Sequence, residues 1–124
     1  MTKILLIEDE IAVREMLVDE LSVNGYEVIE AVNGDDGLKK IIANTPDLII
    51  CDRAMAVCSG YQLLENLRKD HPEYNTIPFV FMTALTDPRD KEAVEHLKPT
   101  GYLEKPIDFA VLNKTIKGFL TAKK

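Results

Sequence analysis

The chain of 124 residues lacks long apolar runs and has only two cysteines. A helix needs about 20 consecutive apolar residues to cross a bilayer, so no membrane partner is expected. The short apolar run at residues 4–7 is not expected to be a signal peptide, because Glu8, Asp9 and Glu10 follow it at once. Two cysteines do not make a disulfide framework, and a reducing cytoplasm is therefore the expected location.

A cluster of positive charge is also lacking, and the 15 Lys and Arg residues are outnumbered by 21 Asp and Glu residues, so that the formal net charge is −6. Direct binding to nucleic acid requires clustered positive charge that displaces counterions from phosphates, so nucleic acid is not an expected partner. Zinc is not expected either, because Cys51, Cys58, His71 and His96 form no close C-x-x-C or H-x-x-x-H pair.

Five short β-rich runs, at residues 3–7, 27–31, 48–51, 79–82 and 101–103, alternate with five helical patterns. The first, third and fourth runs are almost continuously apolar, which is typical of strands buried on both faces of a parallel sheet. Strict alternation of strands and helices implies right-handed crossovers and helices on both faces of the sheet. The sequence therefore predicts one doubly wound α/β domain over residues 1–124.

The helical patterns begin and end at capping residues. Asn24-Gly25 ends the first, Thr86-Asp87-Pro88 begins the fourth and Asp108 begins the fifth. The apolar positions that mark the five helices are Val13, Met16, Leu17 and Leu21; Leu38, Ile41 and Ile42; Leu63, Leu64 and Leu67; Ala93, Val94 and Leu97; and Leu112, Ile116, Phe119 and Leu120.

Charged and hydroxyl side chains follow the predicted strands, and ligands of open parallel sheets bind beyond the carboxyl ends of the strands. Glu8 and Asp9 follow the first strand, Asp52 the third, Thr83 the fourth and Lys105 the fifth. Three carboxylates that crowd together repel one another, and a hard divalent cation relieves that repulsion. Mg²⁺ fits because it binds through one or two carboxylates, keeps waters and takes phosphate as a further ligand.

Asp52 is the candidate nucleophile, since a carboxylate can attack phosphorus and form an aspartyl phosphate. Lys105 would pair with a phosphoryl oxygen, and Thr83 would donate a hydrogen bond to the same group. An exposed lysine and a strand-end threonine of no special role are the alternative interpretations of those two residues. No Gly-rich loop that ends in Lys-Ser or Lys-Thr occurs, so ATP is not the expected phosphoryl donor.

The chain resembles the receiver-domain family of response regulators over essentially its whole length. The motifs that carry the resemblance are Glu8-Asp9, Asp52-Arg53-Ala54-Met55 with Gly60 downstream, Thr83-Ala84, and Lys105-Pro106. The resemblance implies a flavodoxin-like, five-stranded parallel sheet in the order 2-1-3-4-5. It further implies transfer of a phosphoryl group to Asp52 from a histidine kinase or a phosphotransfer protein.

The same resemblance implies that Asp9 and Asp52 bind magnesium directly, that Glu8 binds it through water, and that the main-chain carbonyl of Ala54 is a further ligand. The Lys105–Pro106 peptide bond is cis in similar proteins and is expected to be cis here. Members of the family accept a phosphoryl group and assist their own phosphotransfer and slow dephosphorylation, so the chain is not expected to be an enzyme.

A switch is implied by Thr83 and Tyr102, which match the family's hydroxyl and aromatic switch positions. Phosphate on Asp52 would draw the Thr83 hydroxyl toward it, and Tyr102 would rotate inward. The expected output face is the fourth helix, the fifth strand and the fifth helix, where an output protein that the sequence does not identify, or a second copy in a phosphorylation-dependent homodimer, would bind. The residues offered there are Arg89, Lys91, Tyr102 and Lys114.

Several positions depart from the family pattern. Ala56 stands where the family has proline, which adds backbone freedom and is expected to weaken magnesium binding or slow phosphorylation. Ser59 replaces a commonly acidic residue, and Lys98-Pro99 replaces a common glycine, both without a predicted consequence. Ala54 and Leu85 cannot guide a hydrolytic water, so a phosphoryl lifetime of minutes to hours is expected.

Other functions are open at this point. A flavin-binding flavodoxin would need a Ser/Thr/Gly-rich phosphate loop where Glu8, Asp9 and Glu10 stand, and an aspartate-based phosphatase would need a second acid where Ala54 stands. The stronger alternative is a pseudo-receiver that binds partners without phosphorylation. A further one is a receiver fragment of a larger regulator or hybrid kinase.

Overall fold

The computed structural model describes residues 1–53, 55, 57–84 and 95–122. The strands are β1 (Lys3–Ile7), β2 (Glu27–Ala31), β3 (Leu48–Asp52), β4 (Phe79–Thr83) and β5 (Gly101–Glu104). The helices are α1 (Ile11–Val23), α2 (Gly34–Asn44), α3 (Gly60–Asp70) and α4 (Phe109–Ala122), with a 3₁₀ turn at Pro72–Tyr74. No helix of these described residues is long and apolar enough to cross a membrane.

The five strands form one parallel sheet in the order β2-β1-β3-β4-β5, which confirms the predicted topology. In its register, Ile7 lies opposite Cys51, and Met82 lies between Asp52 and Leu103. The carboxyl ends of β1, β3, β4 and β5 therefore lie along the same side of the sheet. Glu8, which follows β1, is there beside Asp52 and Thr83, which end β3 and β4.

Each face of the sheet carries its own apolar core, which confirms that helices cover both faces. On one face, β-strand residues such as Leu5 and Phe81 pack with Ile41 of α2 and Leu64 of α3. On the other face, β-strand residues such as Ile4 and Met82 pack against α1 and α4. The buried helical side chains there are Leu17 and Leu21 of α1 and Leu112 and Ile116 of α4. Burial on both sides explains why β3 and β4 are apolar up to their last residues, Asp52 and Thr83.

The structure departs from the sequence prediction in small ways. Strands β3, β4 and β5 each extend one residue further, to Asp52, Thr83 and Glu104. Met16 and Ile42, which were among the apolar positions that marked helices, are 45% and 50% exposed because they lie at the edges of the inward faces of α1 and α2. The start of the predicted fourth helix at Thr86-Asp87-Pro88 lies outside the described residues, so the predicted fifth helix is α4.

Candidate functional site

Asp52 is the last residue of β3 and is 5% exposed. Gly60 lies so close to it that a Cβ at position 60 would be 2.5 Å from the Asp52 carbonyl oxygen. Glycine at position 60 is thus required by the close approach of two backbone segments. The main chain around Asp52 is held further by the Arg53 amide, which donates to the Met82 carbonyl oxygen at 3.0 Å.

Three acids converge at this edge of the sheet. One carboxylate oxygen from each of Glu8, Asp9 and Asp52 lies within 4.8 Å of the others. Glu8 is completely buried, whereas Asp9 next to it is exposed. An all-oxygen donor set of this kind, with one ligand open to solvent, suits a hard cation such as magnesium that retains water.

Lys105 joins two of the three acids. Its Nζ donates to Glu8 Oε1 and to Asp52 Oδ2, both at 2.9 Å, and its side chain is 20% exposed. The Lys105–Pro106 peptide bond is cis, as the resemblance implied. A single cation against three carboxylates leaves the cluster with excess negative charge, which a divalent cation would offset.

The pKa values of two groups in the cluster, Glu8 and Lys105, are shifted. Burial raises the pKa of Glu8 from its ordinary 4.5 to about 7, although the hydrogen bond from Lys105 acts to lower it. The nearby carboxylate of Asp52 adds to the rise. Burial acts to lower the pKa of Lys105, but hydrogen bonds to Glu8 and Asp52 outweigh it and leave that pKa above its ordinary value. Near neutral pH, Glu8 is therefore protonated in part of the molecules, whereas Lys105 stays charged.

Thr83 and Tyr102 lie on the other side of Asp52. Thr83 ends β4, is 5% exposed, and accepts a hydrogen bond at its carbonyl oxygen from the Lys105 amide at 2.8 Å. Tyr102 in β5 is half-buried, and its ring stacks on Phe81 with centroids 6.2 Å apart and planes 25° apart. The structure thus places both predicted switch residues on the strands that follow β3 in the sheet.

Two residues near the site were not predicted to take part in it. Arg14 of α1 donates from Nη1 to the Glu8 carbonyl oxygen at 2.8 Å and from Nε to Glu30 at 3.3 Å, which ties α1 to the end of β1. Ser59 is the N-cap of α3 and forms a reciprocal capping box with Gln62. The Ser-x-x-Gln spacing in the sequence is the signal that could have predicted this cap.

Some predicted positions of the site and of the output face are not among the described residues. Ala54, Ala56, Leu85, Arg89 and Lys91 lie outside the described residues. The described part of the predicted output face contains Tyr102 of β5 and Lys114, which is exposed on α4.

Comparison with known proteins agrees with this geometry. Residues 4–117 match the family described as the response regulator receiver domain. Protein PilH of Pseudomonas aeruginosa is 32% identical over 120 residues, which cover 97% of this chain and 98% of that protein. Among solved structures, the chemotaxis protein CheY4 of Vibrio cholerae has a TM-score of 0.89 and 32% identity, over 96% of this chain and 98% of that one.

Other relatives are longer than this chain. The probable transcriptional regulator ycf27 of Porphyridium aerugineum is 33% identical over 118 residues, which cover 95% of this chain and 48% of that protein. The chain thus spans about half the length of this group of curated relatives.

Proposed function

Because this chain belongs to the response regulator receiver domain family of two-component signalling, we propose that Asp52 accepts a phosphoryl group in a magnesium-dependent reaction. The donor in this proposal is the phosphohistidine of a histidine kinase or phosphotransfer protein. An output protein would then distinguish the phosphorylated form, and a cytoplasmic location belongs to the same proposal.

One observation carries the proposal: Asp52 lies at a strand end, nearly buried, among two further acids and one lysine. Buried charge of this kind costs folding free energy, and a protein that needed only a stable strand end would gain more from apolar residues. The cluster is therefore better explained by chemistry than by stability.

The residues divide the chemistry between them. The Asp52 carboxylate would attack phosphorus, the new P–O bond would form as the P–N bond of the phosphohistidine breaks, and the histidine nitrogen would keep the electron pair. Lys105, which already contacts Asp52 Oδ2, would neutralise charge on a phosphoryl oxygen. Asp9 and Asp52 would bind magnesium directly, and Glu8 would bind it through water. The bound cation would offset the negative charge that accumulates on the transferred group.

The switch is the second part of the proposal. Phosphate on Asp52 would offer an acceptor to the hydroxyl of Thr83, which ends the neighbouring strand. Movement of Thr83 would change the space beside β4, and Tyr102 would respond by changing its orientation. The proposal is supported by the register, in which Phe81 lies between Cys51 and Tyr102. Tyr102 is therefore beside β4, which carries Thr83, and one strand further from β3, which carries Asp52.

The test is intact-mass measurement after incubation with acetyl phosphate or phosphoramidate, with and without magnesium. We expect one phosphoryl adduct that requires both the cation and Asp52, and no adduct in Asp52→Asn. Asp47→Asn is the matched control, because Asp47 immediately precedes the same strand at its opposite end and should leave the adduct unchanged. A folded wild-type protein that binds magnesium but never gains the adduct would overturn the proposal in favour of partner binding without phosphorylation.

A further inference from the structure

Tyr102 is held at both ends of its side chain. Its ring stacks on Phe81, and its hydroxyl donates to Oε1 of Glu95 at 3.2 Å. Burial, followed by the charge of Glu95, raises the pKa of Tyr102 to about 12, so the phenol keeps its proton at neutral pH and remains a donor.

The segment that carries Glu95 is itself fixed to the rest of the fold. Arg68 of α3 donates from Nε to the Leu97 carbonyl oxygen at 2.7 Å and from Nη2 to the Lys98 carbonyl oxygen at 3.0 Å. Its remaining nitrogen, Nη1, donates to Asn75 Oδ1 at 3.0 Å. One guanidinium thus uses its planar fork to hold two consecutive carbonyl groups, a geometry that lysine cannot reproduce.

The chain on either side of those carbonyls is equally constrained. The Lys98 amide donates to the Glu95 carbonyl oxygen at 2.9 Å, and Lys98 has a φ of 54°, in the left-handed region. Thr100 is bound to β4 twice, because its amide donates to the Phe79 carbonyl oxygen and its Oγ1 accepts from the Phe79 amide, both at 2.8 Å. Glu95 is therefore presented to Tyr102 from a backbone that α3 and β4 hold in place.

We infer that Glu95 is a positioning residue that holds Tyr102 in its present orientation, with Arg68 as the anchor of its segment, and so opposes the switch until Asp52 carries phosphate. This inference rests on the proposed function and adds a regulatory element to it. A contact that stabilises only the unswitched form reduces the population of the switched form and, by linkage, weakens the binding of any ligand that prefers the switched form.

The size of the effect follows from the nature of the contact. Glu95 is exposed, so the hydrogen bond to Tyr102 competes with water and its net contribution is that of a typical protein hydrogen bond. Its loss should therefore strengthen binding of a phosphoryl mimic by about threefold to tenfold. A shift of that size would change the signalling output although no group that contacts the phosphoryl group has been altered.

The test combines two measurements on the full chain. The first is the orientation of the Tyr102 ring, followed through its aromatic NMR resonances without any phosphoryl mimic. The second is the apparent affinity for beryllofluoride in the presence of magnesium. Glu95→Ala removes the acceptor, Glu95→Gln retains one, and Tyr102→Phe removes the donor, while Glu65→Ala changes an exposed acid on α3 as the matched control.

We expect Glu95→Ala to shift the Tyr102 resonances and to bind beryllofluoride about threefold to tenfold more tightly. Glu95→Gln should stay near the wild type, and adding Glu95→Ala to Tyr102→Phe should have no further effect on affinity. Unchanged Tyr102 resonances and unchanged affinity in Glu95→Ala would overturn the inference. If the wild type bound no beryllofluoride, the proposed function would be in doubt, but the ring resonances would still decide whether Glu95 positions Tyr102.

Discussion

The two sides of Asp52 are built from different chemistry. The β1 flank, which consists of Glu8 and Asp9, brings carboxylates within 4.8 Å of Asp52 and buries one of them completely. The β4–β5 flank, which consists of Thr83 and Tyr102, brings a hydroxyl and a phenol. The side chain of Lys105 contacts both Glu8 of the β1 flank and Asp52, whereas its contact with the β4–β5 flank is a main-chain hydrogen bond to the Thr83 carbonyl oxygen.

This difference suits the two flanks to different tasks, the first to phosphoryl transfer and the second to sensing the transferred group. Crowded carboxylates are costly in the folded protein, and a divalent cation relieves their repulsion, so the β1 flank is suited to binding magnesium and promoting transfer. Neutral hydrogen-bond donors can exchange one acceptor for another at little free-energy cost, so the β4–β5 flank is suited to sensing whether transfer has occurred. Variants of the first flank should therefore change phosphorylation, and variants of the second should change what phosphorylation causes.

The largest effect is expected from Lys105→Ala, which removes the cation that joins the β1 flank to Asp52. The rate of phosphorylation by acetyl phosphate should fall about 100-fold to 1,000-fold, because a positioned charge that stabilises the transferred group is lost. Lys117→Ala is the control, since Lys117 is exposed beside Met1 and Thr2 at the amino end of the sheet. A rate for Lys105→Ala close to that of the control would mean that Lys105 has only a structural role.

The buried carboxyl of Glu8 predicts a dependence of stability on pH. Its pKa of about 7 in the folded chain lies above its ordinary 4.5, so between these values the folded chain keeps a proton that the unfolded chain has released. Without magnesium, the free energy of unfolding should fall by about 2 kcal/mol as pH rises through this window, once solvent screening is allowed for.

Urea unfolding at pH 5, 6, 7 and 8 in the presence of a chelator would measure this dependence. Glu8→Gln cannot titrate at this position, so its unfolding free energy should vary much less over the same range. If wild type and Glu8→Gln respond equally to pH, the dependence arises elsewhere in the chain, and the β1 flank does not carry the proposed electrostatic cost.

A smaller effect is expected from Asp9→Asn, which removes a carboxylate from the exposed side of the cluster. Magnesium affinity should fall by about tenfold or more, since a charged oxygen ligand is replaced by a neutral one. The folded protein should not lose stability in the absence of magnesium, because one repulsive contact is gone. Glu10→Gln tests the neighbouring exposed acid, and a loss of affinity as large as that of Asp9→Asn would contradict the assignment of Asp9.

Most of the fold and the composition of the site could be predicted from the sequence. Continuous apolar runs identified the buried parallel strands, and the polar residues after them identified the edge where Glu8, Asp52 and Lys105 meet. The prediction was less accurate at element boundaries and at the edges of helical faces, where Met16 proved to be exposed, because periodicity does not show how wide a buried face is.

Some features depend on tertiary contacts that no local pattern records. The burial of Glu8 beside an exposed Asp9 depends on where β1 ends between β2 and β3 in the sheet, and the raised pKa of Glu8 follows from that burial. No sequence pattern predicts the hydrogen bond from Tyr102 to Glu95. Its geometry depends on the hydrogen bonds from Arg68 to the main chain between these two residues.

The smallest effect on phosphorylation is expected on the β4–β5 flank, in Thr83→Ala. Its phosphorylation rate should stay within about threefold of the wild type, because Thr83 contributes one neutral hydrogen bond and no charge. The response of the Tyr102 ring to phosphorylation, measured by NMR, should nevertheless be lost. Thr83→Ser keeps the hydroxyl and should restore that response, which separates a requirement for the donor from a requirement for the β-branched shape. A hundredfold loss of phosphorylation in Thr83→Ala would instead place Thr83 with Lys105 in the transfer chemistry and remove the distinction between the two flanks.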